Sequence, residues 1–453
     1  MPWAPAGNQS RRFDRPRENR GCGALKSAAR TTRIEYNTGT RLGWKESDQV
    51  TGPSTSANGR SPILIGVYIP TALLAFSQGV LLVTLPLYAD SFGVSYRLIS
   101  LAVAAAAIGT LVTDVPAGAL LEKIGLRPAM LIGSSLVAVS TLALAFTEQF
   151  PQVVAFRIVA GIGTALWGLS RHAYIAETIP IAQRGKAIST FGGINRIGTF
   201  GGPVIGGLVA ELTGLRGSFV LASCLGLGAF AISALLLQTA PRPHGRLARG
   251  VRWALVRRLL HTNRRDLSAA AVAQSLAQMI RAGRVFIVPL YGVDQLGLDP
   301  GQVGLIMSVG SILDVAMFFP AGVLMDRFGR KVAAVPSFAT MAIGIGLIPL
   351  ANDFAGLLGA TAIIGLGNGI GSGTMMTLGA DLAPPGATGE FLGLWRLIGD
   401  AGGMGGPLAV GFVASAVGLE GGAFVLSAFG IGAALILALL VQETRVSPLS
   451  DTG

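Results

Sequence analysis

Past residue 60 the chain falls into blocks of predominantly apolar residues, each about 18 to 27 long, separated by short polar stretches. A helix rises about 1.5 Å per residue, so every block is long enough to cross a hydrocarbon core of roughly 30 Å. The blocks occupy 63–88, 98–121, 129–146, 153–174, 187–210 and 219–237, then 267–292, 303–324, 332–350, 354–378, 391–417 and 421–441. The pattern predicts an all-α integral membrane protein of twelve transmembrane helices in two six-helix halves, 61–237 and 267–442. A linker over 238–266 joins them, and polar tails over 1–60 and 443–453 flank them.

The halves are copies. Residues 322–331 read GVLMDRFGRK and residues 118–127 read GALLEKIGLR, 204 positions earlier. The same offset carries Pro116 to Pro320, Gly161 to Gly365, Gly163 to Gly367, Glu177 to Asp381, Pro180 to Pro384 and Gly202-Pro203 to Gly406-Pro407. In each copy the first glycine, Gly118 or Gly322, is expected to let a helix end pack closely. The later one, Gly125 or Gly329, permits a tight reversal that a side chain would obstruct.

Composition agrees with this reading. Of 453 residues 51% are hydrophobic and 13% charged, with mean hydropathy +0.60, which places the chain with multi-span membrane proteins rather than soluble ones. The net charge of +12 is topological, because most Lys and Arg flank apolar blocks, and no nucleic-acid partner is expected. Cys22 and Cys224 sit in a polar and an apolar stretch, so neither a disulfide framework nor a metal site is expected. The linker holds Arg242, Arg246, Arg249, Arg252, Arg257, Arg258, Arg264 and Arg265 against Asp266, which makes it cytoplasmic, with both termini and both 118–127 and 322–331 on its side. The opposite loops carry only Arg97 and Arg216. Within the linker 247–260 suits an interfacial amphipathic helix or a solvated connector; residues 1–60 read as a disordered tail or a lipid-binding basic arm.

With these spans, repeats and loops the chain resembles the major facilitator superfamily over nearly everything after residue 60. Gly322, Asp326, Arg327, Gly329, Arg330 and Lys331 match that family's loop signature; the first copy has Gly118, Glu122, Lys123 and Gly125, with the expected arginine displaced to Arg127. The resemblance implies that these charges gate the cytoplasmic side, holding one closed state and parting as the halves rock. Arg157, Gly161 and Gly163 match a family pattern whose arginine is linked to proton coupling. Gly198, Gly202, Pro203, Gly206 and Gly207 reproduce the core of its antiporter motif, with Ser189 where a further glycine is expected. Gly198, Gly202 and Gly206 recur every four residues and share one helix face. Pro203 removes a donor and adds a bend. The second half keeps Gly402, Gly406 and Pro407 but ends in Val410-Gly411. Together with LPLYADSFG at 85–93, these residues resemble twelve-span drug:proton antiporters.

Ionisable groups inside apolar spans are costly and mark candidate sites. They are Asp114, Arg157, Arg196, Arg281, Arg284, Asp314, Arg396 and Asp400. Gln274, Gln278 and Arg281 fall within about 60° of one another at 100° per residue. Thr71 and Gln78 form the matching stripe on the first span, there at an offset of 203 because the following loop is one residue shorter. Such paired stripes suit a central cavity. Asp114 and Asp314 could carry protons, Arg396 and Asp400 are spaced to pair within a helix, and any of these charges could instead fix helix packing. His172 beside Arg171 reads as interfacial, and Glu177 with Arg184-Gly185 as loop residues. Five arginines against three aspartates, with Gln78 where exporters of cationic drugs carry an acid, point to a neutral or anionic solute.

The leading expectation is a secondary active transporter, not an enzyme. It exports a small amphipathic solute or drug by proton antiport across the plasma or inner membrane, driven by the proton gradient without a cofactor. A proton-coupled symporter for uptake is the alternative, and a membrane sensor a remote one. Monomeric function follows from the resemblance.

Overall fold

A computed structural model of the chain describes residues 62–178, 181–237, 257, 264–384 and 387–444. The tail over 1–60, nearly all of the linker and most of 443–453 lie outside them. Among the described residues the first half holds α1 (Pro62–Asp90), α2 (Tyr96–Ile124), α3 (Leu126–Leu144), α4 (Phe150–Thr178), α5 (Ile181–Thr213) and α6 (Leu215–Leu236). The second holds α7 (Arg264–Leu290), α8 (Pro300–Phe328), α9 (Arg330–Gly346), α10 (Phe354–Ile370), α11 (Thr374–Asp381) and α12 (Thr388–Leu439). α10 and α11 form one interrupted span, and α12 contains two spans that meet at Gly418, whose φ of 84° breaks the helix. The result is six spans plus six.

Nine of the described stretches are long and apolar enough to cross a membrane, and the one over Thr388–Leu439 counts twice. The two helices that fall short are α5 and α7. Their polar residues, Arg196 on α5 and Gln274, Gln278, Arg281 and Arg284 on α7, lower the hydropathy and face the interior described below. Exposed positions on the spans include large apolar side chains, as at Val112 (68% exposed), Phe319 (79%) and Leu235 (82%). Interior positions are small: Ala102, Ala129, Ala222, Ala273 and Ala333 are fully buried. Bundles in lipid gain little from hiding apolar surface and cohere instead through close backbone approach, which small residues allow. Buried hydroxyls bond their own helix, as Thr71 does to the carbonyl of Val67 at 2.8 Å.

The repeat is visible in the backbone. Positive-φ glycines recur 204 residues apart as Gly93 and Gly297, Gly125 and Gly329, Gly214 and Gly418. At Gly125 and Gly329 this conformation makes the expected tight reversals between α2 and α3 and between α8 and α9. The shift from 203 to 204 has a local cause. After Pro289-Leu290 the chain makes a π-helical turn over Tyr291–Gln295, which absorbs one extra residue relative to Pro86-Leu87-Tyr88.

Candidate functional site

The halves meet along α5 with α8 and along α2 with α12, at the face away from the Gly125 and Gly329 turns. The glycines on α5 make this possible. Methyl groups on Gly198 and Gly202 would strike the α1 backbone at Ala75 and Gly79, and one on Gly206 would strike Val80. The predicted glycine face is therefore filled by α1. Gly207 looks the other way, across the halves, at Pro300 and Gly304 of α8, and the carbonyl of Pro203 lies against Gly304. The Pro203 kink frees the next amide, and Val204 N donates to Ser308 Oγ at 3.1 Å. Opposite, Gly411 packs on Ser100 and Tyr96 of α2, so the glycine ending the second, divergent motif does for α12 what Gly207 does for α5. Arg97 N donates to Ser415 Oγ at 2.7 Å, the Arg97 guanidinium lies 5.5 Å from the Phe412 ring, and the Tyr96 hydroxyl donates to Asp294 Oδ2 at 3.0 Å. This face is sealed.

The face bearing the 322–331 turn is open. A methyl on Gly322 would meet nothing within 4 Å. The close packing expected of this glycine is thus not made in this conformation, because the helix ends it would contact are drawn apart; the surroundings of Gly118 lie outside the described residues. The charges of the turn bind their own half. Arg330 Nε donates to Asp381 Oδ2 at 2.8 Å and Arg330 lies 3.8 Å from Asp326, while the amides of Arg330 and Lys331 donate to the Glu443 carboxylate at 2.9 and 3.0 Å. Lys331 Nζ caps the carbonyl of Ala438 at 2.8 Å. In the first half Arg127, 204 positions before Lys331, caps Ala234, 204 before Ala438, at 2.9 Å. Arg127 is therefore the structural partner of Lys331. Leu126 stands where Arg330 would be and is buried, and Glu177, opposite Asp381, is exposed. Lys123 and Arg327 are exposed on this face.

Between the halves lies a cavity of about 390 Å³, in the usual range for small-molecule sites. One face of each of several helices lines it. Gln78, Leu81, Leu82 and Leu85 come from α1, Arg157 and Thr164 from α4, Gln278 from α7, and Asp400 from α12. A second space of about 380 Å³ shares Gln278, Gly399 and Asp400 with it and continues toward the open face past Gln274, Arg281, Arg396, Trp395 and His172. Gln78 of the α1 stripe and Gln274, Gln278 and Arg281 of the α7 stripe line these connected spaces, whereas Thr71 is buried against its own helix and lines neither.

The eight charges separate into three groups. Arg157 stands alone: its Nε is buried without a hydrogen-bond partner, and it forms no ion pair among the described residues. Its position is fixed by neighbours one and two turns on. Gly161 lies on Ala106 of α2 and Gly163 on Gly133 of α3, and Thr110 Oγ1 donates to the Gly161 carbonyl at 3.1 Å. The second group surrounds Asp400, whose Oδ2 is 3.4 Å from Arg396 Nε; Asp114, with one buried carboxylate oxygen unbonded, interacts electrostatically with both. The third bridges the halves. Arg196 of α5 contacts Asp314 of α8 at 3.2 Å and also donates to Ser372 Oγ. Asn368 Nδ2 donates to Asp314 Oδ2 at 2.7 Å, and Arg281 Nε donates to Asn368 Oδ1 at 2.9 Å and its NH2 to the Gly371 carbonyl at 3.0 Å. Arg284 joins this group through its charge interaction with Asp314. Asp114 and Asp314, placed one turn apart by the repeat, therefore sit in different surroundings. Asn368 and Ser372 carry no charge and gave no sequence signal. Thr110 and Thr164 were equally silent, because each of their spans carries several hydroxyls and most bond their own helix.

The sequence profile of the Major Facilitator Superfamily matches residues 67–299 and 270–452. An uncharacterized MFS-type transporter of Methanocaldococcus jannaschii is 24% identical over 378 residues, 83% of this chain and 97% of that one. The quinolone resistance protein NorA of Staphylococcus aureus is 22% identical over 304 residues, 66% of this chain and 77% of its own. Among solved structures, a D-xylose–proton symporter superposes with a TM-score of 0.69 at 19% identity, covering 85% of this chain and 98% of its own.

Proposed function

Because the chain belongs to the major facilitator superfamily and is a multi-pass transporter rather than an enzyme, we infer that it exports a small amphipathic organic solute in exchange for protons. The two halves rock about the central cavity. The observation that carries export is the packing of α5, whose antiporter-type residues fit α1 with Gly198, Gly202 and Gly206 and seal against α8 with Pro203 and Gly207. A relative named for quinolone resistance supports the same direction. The linker and termini lie in the cytoplasm, so the open face is cytoplasmic and the sealed face external, in a plasma or inner membrane. The working unit is a monomer, the energy source the proton gradient.

The proton is carried by Asp400 and Asp114. Asp400 lines both the cavity and the passage, so it can exchange a proton with the open face in this state and release Arg396 when protonated. Asp314 is committed to Arg196 and Asn368 and serves to join the halves. The test is proton movement in inside-out vesicles with an acidified lumen. Adding an exported solute is expected to discharge the gradient with the wild-type protein and not with Asp400→Asn. A protein that discharges nothing, while cells accumulate a nutrient through it, would be an uptake symporter.

A further inference from the structure

Arg157 is a half-buried cation on the wall of the central cavity whose buried Nε has no hydrogen-bond partner, and no described acid forms an ion pair with it. Asp400, the acid lining the same cavity, has its Oδ2 3.4 Å from Arg396 as an ion pair without a hydrogen bond at that oxygen, and Asp314 is held by Arg196 and Asn368. A charge in a low-dielectric site is retained only with a partner, and a transporter can leave that partner to its cargo. The rest of the wall divides cleanly. Leu81, Leu82, Leu85 and Val137 offer an apolar bed, and Gln78 and Thr164 offer neutral hydrogen-bonding groups. Arg157 and Thr164 are seven positions apart and so share one face of α4, with the guanidinium at one end of that face.

We propose that the cavity binds an organic monoanion, a carboxylate or sulfonate on an apolar or aromatic body, with the anionic head on the Arg157 guanidinium. The planar fork of arginine matches a carboxylate in two parallel hydrogen bonds, which a neutral or cationic head cannot accept. This rests on the reading of the cavity as the transport site. Ion pairing with Arg157 also gives the exchange an electrical character. One proton entering and one monoanion leaving move two positive charges inward per cycle, so an interior-negative potential drives export even without a pH difference.

Three fluorescent probes that differ in the head alone test the assignment: dansylglycine (anion), dansylglycinamide (neutral) and dansylethylenediamine (cation), titrated into the full-length protein in nanodiscs. The expected result is dansylglycine bound at least tenfold more tightly than either other probe. Arg157→Gln abolishes that preference and leaves the neutral and cationic probes unchanged, Arg157→Lys keeps only the part due to charge, and Asp400→Asn strengthens dansylglycine. Preference for the cation, equal weakening of all three probes in Arg157→Gln, or binding of none by the wild type would each overturn the proposal. Equal weakening would mark Arg157 as structural, which the Lys variant checks by preserving charge and stem. The vesicle assay uses no dansyl probe, so carrier function is decided separately from the charge of the cargo.

Discussion

At Gly202 a single hydrogen atom decides whether α1 and α5 can cross, since any side chain there meets the backbone of Gly79. Gly202→Ala is expected to lower stability by about 1–3 kcal/mol, the usual range for overpacking, and to depress the thermal midpoint in detergent. Gly389→Ala, where a methyl meets nothing within 4 Å, should not lower it and should raise it slightly through helix propensity. The Arg196–Asp314 contact makes a second residue-level prediction. Removing one member of this part-buried pair leaves the other charge uncompensated, whereas removing both is milder. Asp314→Asn should therefore melt lower than the Arg196→Gln/Asp314→Asn double variant. If the double variant is the less stable, the pair is not what joins α5 to α8. The glycine row was legible in the sequence because helix contact demands a fixed four-residue spacing. The pairing of Arg196 with Asp314, Asn368 and Ser372 was not, because those partners lie on other helices and nothing in local spacing records which span faces which.

Element by element, the repeat allowed most of the fold to be read from one half onto the other. It placed the turn glycines and the kinks, and it fails where the copies have drifted. Leu126 in place of Arg330 leaves the first half without the Asp381-type clamp, and the cap by Arg127 survives only because it belongs to the next position along. Gly322 shows another limit: its packing depends on which face is open, a property of conformation rather than sequence. The external seal has a titratable element. Asp294, outside the spanning segments, has its carboxyl pushed up to about 6, chiefly by burial and further by Asp90, against the opposing effect of the Tyr96 hydroxyl. Once the seal opens and Asp294 is solvated, its affinity for a proton returns to the ordinary carboxylate range. The sealed state thus holds its proton more tightly, is increasingly favoured as pH falls through about 6, and loses this contribution above it. Ser100, fully buried in the seal, provides a reporter. In a Cys22→Ser/Cys224→Ser background, Ser100→Cys should become less accessible to an impermeant thiol reagent at pH 5 than at pH 7.5, measured relative to the same variant carrying Asp294→Asn. A ratio independent of pH would remove Asp294 from the gate.

For the whole molecule, the features at either end of the cavity belong to one movement. Gly207, Gly411 and the Tyr96–Asp294 bond close one face while the empty side of Gly322 and the Arg281-lined passage leave the other open. Exchange of protons for solute requires these two conditions to trade places. Protonated Asp294 belongs with the present state, so its deprotonation should favour the opposite one. Paired spin labels report this directly. Phe146 and Leu350, related by the repeat, are exposed at the sealed ends of the two halves, and Glu177 and Thr388 are exposed at the open ends. Electron–electron resonance distances in Phe146→Cys/Leu350→Cys and Glu177→Cys/Thr388→Cys proteins, in nanodiscs between pH 5 and pH 8, show whether the two faces trade places. Raising the pH should lengthen the first distance and shorten the second. Distances that stay fixed, or that change in the same sense, would contradict proton-driven rocking about the central cavity.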